Sequence, residues 1–300
     1  MVALPSMPAW YKRGGSLFPV NSSNETDICA DAQLISATFN RAPLASEVVF
    51  SDISNPLAPI EKARRSCPGA MGAQFIDAGG VRHIIVSSPP AQNVSPFNSI
   101  LHMSVDAGWN LSQPNVILGP SGCGFNNIGA CPVPGGYVMC VEQQFSGYKA
   151  ETYSFSTTPD FAVRQPLGAL YSQSVDFTGR TCLRYMPDGF VYATSDASTG
   201  HCRIARAPAI FDADFTSRFK FATDAFGFLG PDIDVHPPAG ASGGIPFYDG
   251  NVSYDEWTLN GQPCVYGVYF MSNEVDRGEI HNCLFHGTKA QLFAKFNFPA

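Results

Sequence analysis

The chain has 300 residues, a formal net charge of −7 and only 14% charged residues. Its only basic cluster is Lys62–Arg65, which argues against nucleic acid as the main partner because phosphate binding needs a concentrated field of Lys and Arg. We expect no membrane insertion, since no apolar run reaches the roughly 20 residues that cross a bilayer. The first residues lack the basic and apolar regions of a secretory signal, which favours a cytoplasmic or virion-associated protein over a classically secreted one.

The composition predicts an all-β fold. Gly (28), Pro (24) and aromatic residues (12%) are abundant, and these residue types favour short strands joined by many turns. Residues 1–25 are interpreted as an N-terminal lead-in, and residues 26–300 as a single domain. The nine cysteines show no paired spacing typical of a zinc site and are expected to be free thiols packed as small hydrophobic residues.

A unit of roughly 50 residues repeats along the domain. Its middle strand is predicted at residues 32–38, 82–88, 137–143, 190–196 and 263–271. A second strand follows at residues 47–52, 100–106, 152–157, 202–207 and 279–285. Three of the middle strands come directly after a Gly-containing turn, which is typical of a hairpin because Gly and Asp tolerate positive φ.

This repeat predicts a five-bladed β-propeller with roughly 50-residue blades and an insertion, residues 237–262, in the last blade. A pair of β-sandwiches with evenly spaced strands is the alternative. We expect the terminal segment Gln291–Phe298, which alternates in hydrophobicity, to close the ring. The insertion is rich in Gly and Pro and contains Trp257, which suits an exposed surface for sugar or protein partners.

The clearest hairpin is Phe125–Glu142, in the third predicted blade. It begins with two amides, Asn126 and Asn127, turns at Pro134–Gly136 and ends with a carboxylate, Glu142. Side chains from different blades converge at one end of a propeller channel, so these residues are candidates for a shared site.

Carboxylates are the most informative candidates because so few residues are charged. Asp27 and Asp31 lie in the first blade, and Asp232 and Asp234 stand at alternate positions at the start of the fifth. Alternate positions put the last two on one face of a strand, where they could line the channel or bind calcium. We expect no other cofactor and no transition-metal site. Arg180, in the fourth blade, could hold one carboxylate ionised or grip a sugar hydroxyl.

The six histidines show no close pair on one face. They stand at positions 83, 102, 201, 236, 281 and 286. Each is therefore interpreted as a core or surface histidine rather than a metal ligand.

Segments such as FNNIGACPVPGGYVMCVE, GRTCLRYMPDGFVYATSD and GPDIDV resemble the blade hairpins of five-bladed propeller glycoside hydrolases of the arabinanase, fructosidase and mannoside-phosphorylase type. This resemblance implies a carbohydrate site at the channel. It places Asp31 (or Asp27), Glu142 and Asp232 at the positions of the family's acids. The chain departs from the family pattern at Asn126 and Asn127, where related sequences often show an acid, and an amide cannot act as a general base at neutral pH.

Two functions follow from these observations. The first is hydrolysis of a poly- or oligosaccharide, with Glu142 as general acid and Asp31 or Asp232 as base or nucleophile. Arg180, Asn126, Asn127, Asp234 and Trp257 are the predicted substrate-binding residues. The second is a non-catalytic propeller that binds carbohydrate or serves as a structural part of a virion or surface adhesin.

Overall fold

In the computed structural model the chain forms five four-stranded antiparallel sheets. The structure describes residues 10–19, 23–29, 34–39, 47–52, 54, 60–67, 70, 72–78, 80–88, 99–119, 124–145, 148–172, 180–195, 203–222, 253–259, 261–271, 279–294 and 296–299. None of the helices in this part of the chain is long and apolar enough to cross a membrane.

The sheets are numbered in chain order of their first strands. Sheet 1 contains β2 (Ser23–Cys29), β3 (Leu34–Phe39), β4 (Glu47–Asp52) and β5 (Ile60–Ser66). Sheet 2 contains β6 (Gly72–Ala78), β7 (Val81–Ser88), β8 (Ser99–Val105) and β9 (Asn115–Leu118). Sheet 3 contains β10 (Gly124–Val133), β11 (Gly136–Phe145), β12 (Tyr148–Ser156) and β13 (Gln165–Ser172).

The remaining two sheets follow the same order. Sheet 4 contains β14 (Arg180–Tyr185), β15 (Phe190–Ser195), β16 (Arg203–Pro208) and β17 (Lys220–Phe221). Sheet 5 contains β18 (Ser253–Leu259), β19 (Gln262–Met271), β20 (Glu279–His286) and, at its outer edge, β1 (Trp10–Pro19). A 3₁₀ helix, Phe215–Arg218, follows β16, and a short helix, α1 (Lys289–Phe293), follows β20.

The five first strands are the inner strands of the fold. Each packs beside the inner strand of the next sheet, and β18 packs beside β2, so that together they close a ring. A four-stranded antiparallel meander returns the chain to the end where it started, and the links from β5 to β6 and from β9 to β10 are short. Successive inner strands therefore begin at the same end of the ring, which we call the entry end. The predicted β-propeller is confirmed.

Hydrophobic clusters fill the spaces between neighbouring sheets. Val48 and Phe50 of sheet 1 pack with Phe75 and Ile84 of sheet 2. The other face of sheet 2 packs against sheet 3, and the other face of sheet 3 packs against sheet 4. Alternate residues of β7 and of β11 point into different clusters, as the two-residue period of a strand requires.

Ring closure differs from the expectation. Gln291–Phe298 does not form a strand, because Thr288 and Gln291 make a capping box that starts α1 instead. The ring is closed by β1, which pairs with β20 from Trp10↔Phe285 to Pro19↔Glu279. Residues 10–19 thus belong to a sheet rather than to a lead-in.

The predicted insertion, residues 237–262, is also too long. Ser253–Leu259 forms β18, the inner strand of sheet 5, and Gln262 begins β19. Asp232, Asp234 and residues 237–252 lie outside the described residues.

Four of the cysteines, Cys67, Cys131, Cys140 and Cys264, are buried free thiols as expected. Burial raises the pKa of Cys67 to about 11, so this thiol stays protonated at neutral pH. The other cysteines remain a prediction.

Candidate functional site

The predicted site on sheet 3 is built around a β-bulge. Phe125 of β10 pairs with Gln143 of β11, but the next pair is Ile128 with Val141. Two residues, Asn126 and Asn127, therefore stand opposite one residue, Glu142. A bulge of this kind bends the strand and redirects its side chains, and bulges are frequent beside active sites.

The same irregularity occurs near the start of two other inner strands. In sheet 1, Asn24 and Glu25 stand together opposite Thr38. In sheet 4, Cys182 and Leu183 stand opposite Ala193. The inner pairs of sheets 2 and 5 run in continuous register. Three inner strands thus carry a bulge close to the entry end of the ring.

Glu142 lies inside the protein. Its exposed fraction is 1%, and it follows Val138 and Cys140 on the face of β11 that packs against sheet 4. On β12 its direct cross-strand partner is Glu151, which is fully buried. Glu151 precedes Tyr153, a member of the same cluster, so both carboxylates face sheet 4.

Two carboxylates at directly opposite positions destabilise a sheet unless a proton or a cation compensates them. The Tyr153 hydroxyl donates a hydrogen bond to Glu151 Oε2 at 3.3 Å. Strand β14, which begins at Arg180, packs beside β10 and β11. A cation on that strand would therefore approach the pair from sheet 4.

The burial of Glu142 bears on its predicted role. A general acid must reach the oxygen that it protonates, directly or through one water. Glu142 faces the interface of sheets 3 and 4, so it is better placed to fix the bulge of Asn126 and Asn127 than to contact a substrate.

The other predicted residues are only partly described. Asn126, Asn127, Arg180 and Trp257 are placed by their backbones: Arg180 pairs with Ser195 at the start of β14, and Trp257 pairs with Cys264. Trp257 is thus an inner-strand residue of sheet 5 rather than part of an insertion. Asp31, Asp232 and Asp234 lie outside the described residues, and their assignments stay predictions.

Two residues of this region escaped the sequence analysis. Glu151 lies just before the strand predicted at residues 152–157, which in the structure starts four residues earlier, at Tyr148. The spacing of Glu151, Tyr153 and Phe155 at every second position would have placed Glu151 on the same face of this strand as the two aromatic residues. Glu25 occupies the bulge of sheet 1, and only the register of β2 with β3 reveals its correspondence to Asn127.

The expectation that no two histidines form a close pair was wrong. His83 Nδ1 and His102 Nε2 are 2.8 Å apart, and the two rings are stacked with centroids 5.0 Å apart. They are diagonal neighbours on β7 and β8, a relation that sequence separation hides. Burial lowers the pKa of both imidazoles; for His102 the neighbouring His83 lowers it further, and Asp160 opposes the shift in each case.

The described residues contain no group of three or more His, Cys, Asp or Glu side chains arranged to hold a metal ion. Asp232 and Asp234 lie outside these residues, so the calcium site suggested for them is still a prediction.

Comparison with known proteins identifies the fold. No family model matches the chain. No curated protein is similar to it in sequence. Among solved structures, it is similar to the catalytic domain of a GH62 α-L-arabinofuranosidase from Coprinopsis cinerea, with a TM-score of 0.55 and 9% identity over 94% of this chain and 98% of that one.

Two further structures are similar. A family 117 glycoside hydrolase from Zobellia galactanivorans has a TM-score of 0.55 and 12% identity over 93% of this chain and 90% of that one. A GH32 β-fructofuranosidase from Bombyx mori has a TM-score of 0.58 and 12% identity over 92% of this chain, which spans 61% of the enzyme's length. At these identities the likeness shows the fold alone: the chain has a β-propeller architecture.

Proposed function

We propose that this propeller acts on a poly- or oligosaccharide that binds across the entry end of the ring. The observation that carries the proposal is the bulge repeated near the start of β2, β10 and β14. The bulges interrupt the ladders of three of the five sheets near the entry end. The residues at or just before them include Glu25, Asn126, Asn127 and Arg180, which supply carboxylate, amide and guanidinium groups, the groups that bind and hydrolyse glycosides.

Hydrolysis needs two carboxylates that reach the glycosidic bond. We propose Asp232 as one of them, because it precedes β18 in the chain and inner strands begin at the entry end. Asp31 follows β2 in the chain, as Asp188 follows β14, so at the entry end the carboxylate proposed for sheet 1 is Glu25 of the bulge instead.

Asn126 and Asn127 would bind sugar hydroxyls, together with Arg180 and Asp234. Trp257 is not part of this proposal, because it pairs with Cys264 beside the turn from β18 to β19, at the end opposite the entry end. Glu142 is a positioning residue, since its burial beneath the bulge lets it act through Asn126 and Asn127.

A second candidate function is binding without hydrolysis. Its support is specific: the bulge of sheet 3 carries two amides, and the carboxylate behind them is buried. An amide can donate and accept hydrogen bonds with a sugar but cannot transfer a proton as an acid or base at neutral pH.

The test combines binding and turnover on the same glycans. A panel of poly- and oligosaccharides is screened for binding, and reducing-sugar release is then measured for every glycan bound. We expect Asp232→Asn to abolish release while preserving binding. We expect Glu142→Gln to lower kcat more than it changes KM. Asp214→Asn is the matched control, because Asp214 is exposed and makes no capping hydrogen bond.

The outcomes separate the two candidates. Binding without release by the wild type would overturn hydrolysis and leave the binding function. A wild type that neither binds nor cleaves any glycan would overturn both. An equal loss in the Asp214→Asn control would show that the loss is not specific to the site.

A further inference from the structure

A cavity of about 450 Å³ lies between sheet 4 and the C-terminal segment. Its wall combines a cation, an acid and aromatic rings. The lining residues that matter here are Asp188, Tyr192, Arg206, Phe293, Phe296 and Phe298. The volume falls within the range of small-molecule sites.

The cavity is distinct from the proposed channel site. Tyr192 alternates along β15 with Val191 and Ala193, which pack toward sheet 3, so Tyr192 lies on the opposite face of sheet 4. Asp188 belongs to the turn that joins β14 to β15, and this turn lies at the end of the ring opposite the entry end.

Arg206 is held in a fixed orientation by two aromatic rings. Its guanidinium carbon lies 4.4 Å from the centroid of Phe190 and 4.4 Å from that of Phe298. Stacking of this kind leaves the N–H groups along the guanidinium edge free to donate. One of them points to the Tyr192 hydroxyl at 3.4 Å. Within the described part of the chain, no carboxylate forms an ion pair with Arg206.

Tyr192 and Asp188 complete the polar wall. The Tyr192 hydroxyl donates to Asp188 Oδ2 at 2.7 Å, and Asp188 Oδ1 accepts from the Phe190 N–H at 3.1 Å. Burial, with Asp188 nearby, raises the pKa of Tyr192 to about 12, so the phenol stays neutral. Because one hydroxyl contacts both side chains, a cationic donor and an anionic acceptor stand only a few ångströms apart.

We propose that this cavity binds a pyranose sugar that carries a carboxylate. The guanidinium edge of Arg206 donates two parallel hydrogen bonds to the carboxylate, because the planar guanidinium matches the two carboxylate oxygens. Asp188 accepts hydrogen bonds from neighbouring sugar hydroxyls. Phe293, which stacks on Tyr192 with ring centroids 4.3 Å apart, and Phe298 supply the aromatic surface for the apolar face of the sugar.

The charges of the cavity wall favour an acidic sugar over a neutral one. Asp188 reaches Arg206 only through the Tyr192 hydroxyl, so a neutral sugar would leave the guanidinium edge without an anion in direct contact, and its desolvation would be poorly compensated. An acidic sugar supplies both the anion for Arg206 and the donors for Asp188.

The test compares two probes that differ only in the carboxylate, methyl β-D-glucuronide and methyl β-D-glucoside. Their dissociation constants are measured by saturation-transfer NMR titration with the full chain. We expect the glucuronide to bind at least about tenfold more tightly, equivalent to about 1.4 kcal/mol. Arg206→Gln should remove this preference, and Arg206→Lys should restore only part of it because lysine lacks the planar fork.

Two further variants keep the result interpretable. Arg64→Gln is the matched control, since Arg64 lies on β5 of sheet 1, paired with Glu47 and Glu61. Asp188→Asn changes an exposed turn residue, should fold even if Arg206→Gln does not, and should weaken both probes. Equal affinity for the two probes, no binding of either, a preference that survives Arg206→Gln, or an equal loss in Arg64→Gln would overturn the proposal. Tighter binding of free glycine than of glucuronide would overturn the sugar class.

Discussion

Sheet 4 presents two unlike faces to its surroundings. Toward sheet 3 it offers small residues such as Val191, Ala193 and Ala205, which pack against Tyr153 and Phe215 with almost no exposed surface. Toward the C-terminal segment the same strands place Tyr192 and Arg206 at a cavity. Neighbouring residues of one strand therefore belong to a close-packed interface and to a cavity wall with hydrogen-bonding groups. Both faces belong to the same strands, so the capacity of each face of sheet 4 to bind a ligand depends on what covers that face.

The largest expected effect comes from emptying the packed face. Phe215 is fully buried and contacts the rings of Tyr153, Phe211 and Phe219 at centroid distances of 5.2–5.8 Å. Phe215→Ala should destabilise the fold by about 3–5 kcal/mol, since it removes buried area and leaves a cavity. Urea unfolding measures this loss. A loss below about 1 kcal/mol would show that the interface relaxes around the cavity.

Two glycines, Gly168 and Gly189, allow the packed face and the cavity side of sheet 4 to be compared by adding a methyl group. Gly168 has a φ of +114°, and a Cβ there would lie 2.7 Å from Ala213 O and 2.8 Å from Thr216 Oγ1. Gly168→Ala should cost about 2–4 kcal/mol, because backbone strain adds to overpacking. Gly189, on the cavity side, has a φ of +86°, and no atom lies within 4 Å of the position that a Cβ would occupy.

Gly189→Ala is therefore the matched control for strain without crowding. It should cost about 1 kcal/mol, which is the conformational penalty alone. Thermal unfolding of both variants gives the comparison. Equal losses in the two variants would mean that crowding against residues 213 and 216 contributes nothing.

The cavity face should tolerate truncation better. Phe298 is only partly buried, and it stacks on Arg206 and edge-on against Tyr192. Phe298→Ala should cost about 1 kcal/mol of stability, within the range for a cation–π contact, while it weakens glucuronide binding. The two quantities are read from urea unfolding and NMR titration of the same sample. Unchanged binding would separate this ring from the proposed site.

The smallest effect is a pH dependence that comes from the histidine pair of sheet 2 and from neither face of sheet 4. The pKa values of His83 and His102 are lowered from 6.5, chiefly by burial, so the unfolded chain binds protons that the native pair does not. Stability should be fully present above pH 6.5 and fall as the pH drops below it, until the native pKa is passed. His102→Gln should flatten the curve of unfolding free energy against pH. Tyr192, with a pKa raised to about 12, does not change charge in this window.

Local patterns in the sequence predicted the two central strands of each sheet. The Gly turns before β7, β11 and β15 are real: Gly80, Gly135 and Gly189 all have positive φ. The predicted middle strands match the second strand of each sheet to within about two residues. Alternation and turn chemistry are properties of neighbouring residues, so a single sequence contains them.

Contacts between distant segments could not be predicted in this way. The closing pair β1 and β20 joins opposite ends of the chain, and the cavity joins Tyr192 and Arg206 to the segment after α1. The opposition of Glu142 and Glu151 follows only from the register of β11 with β12. The residues of one strand do not specify which residues will pair with them on the next strand. The burial of Glu142 could therefore not be predicted from the sequence.

The pairing of β1 with β20 also constrains how the protein is made. Among the described strands, β1 leaves the ribosome first and its partner β20 leaves last. Sheets 1 to 4 can form from contiguous chain as they appear, but sheet 5 has to wait for the final strands. Until then β1 presents an unpaired edge, which is a site for wrong pairing. The slow step in biogenesis should therefore be the docking of β20 onto β1, a late non-local closure.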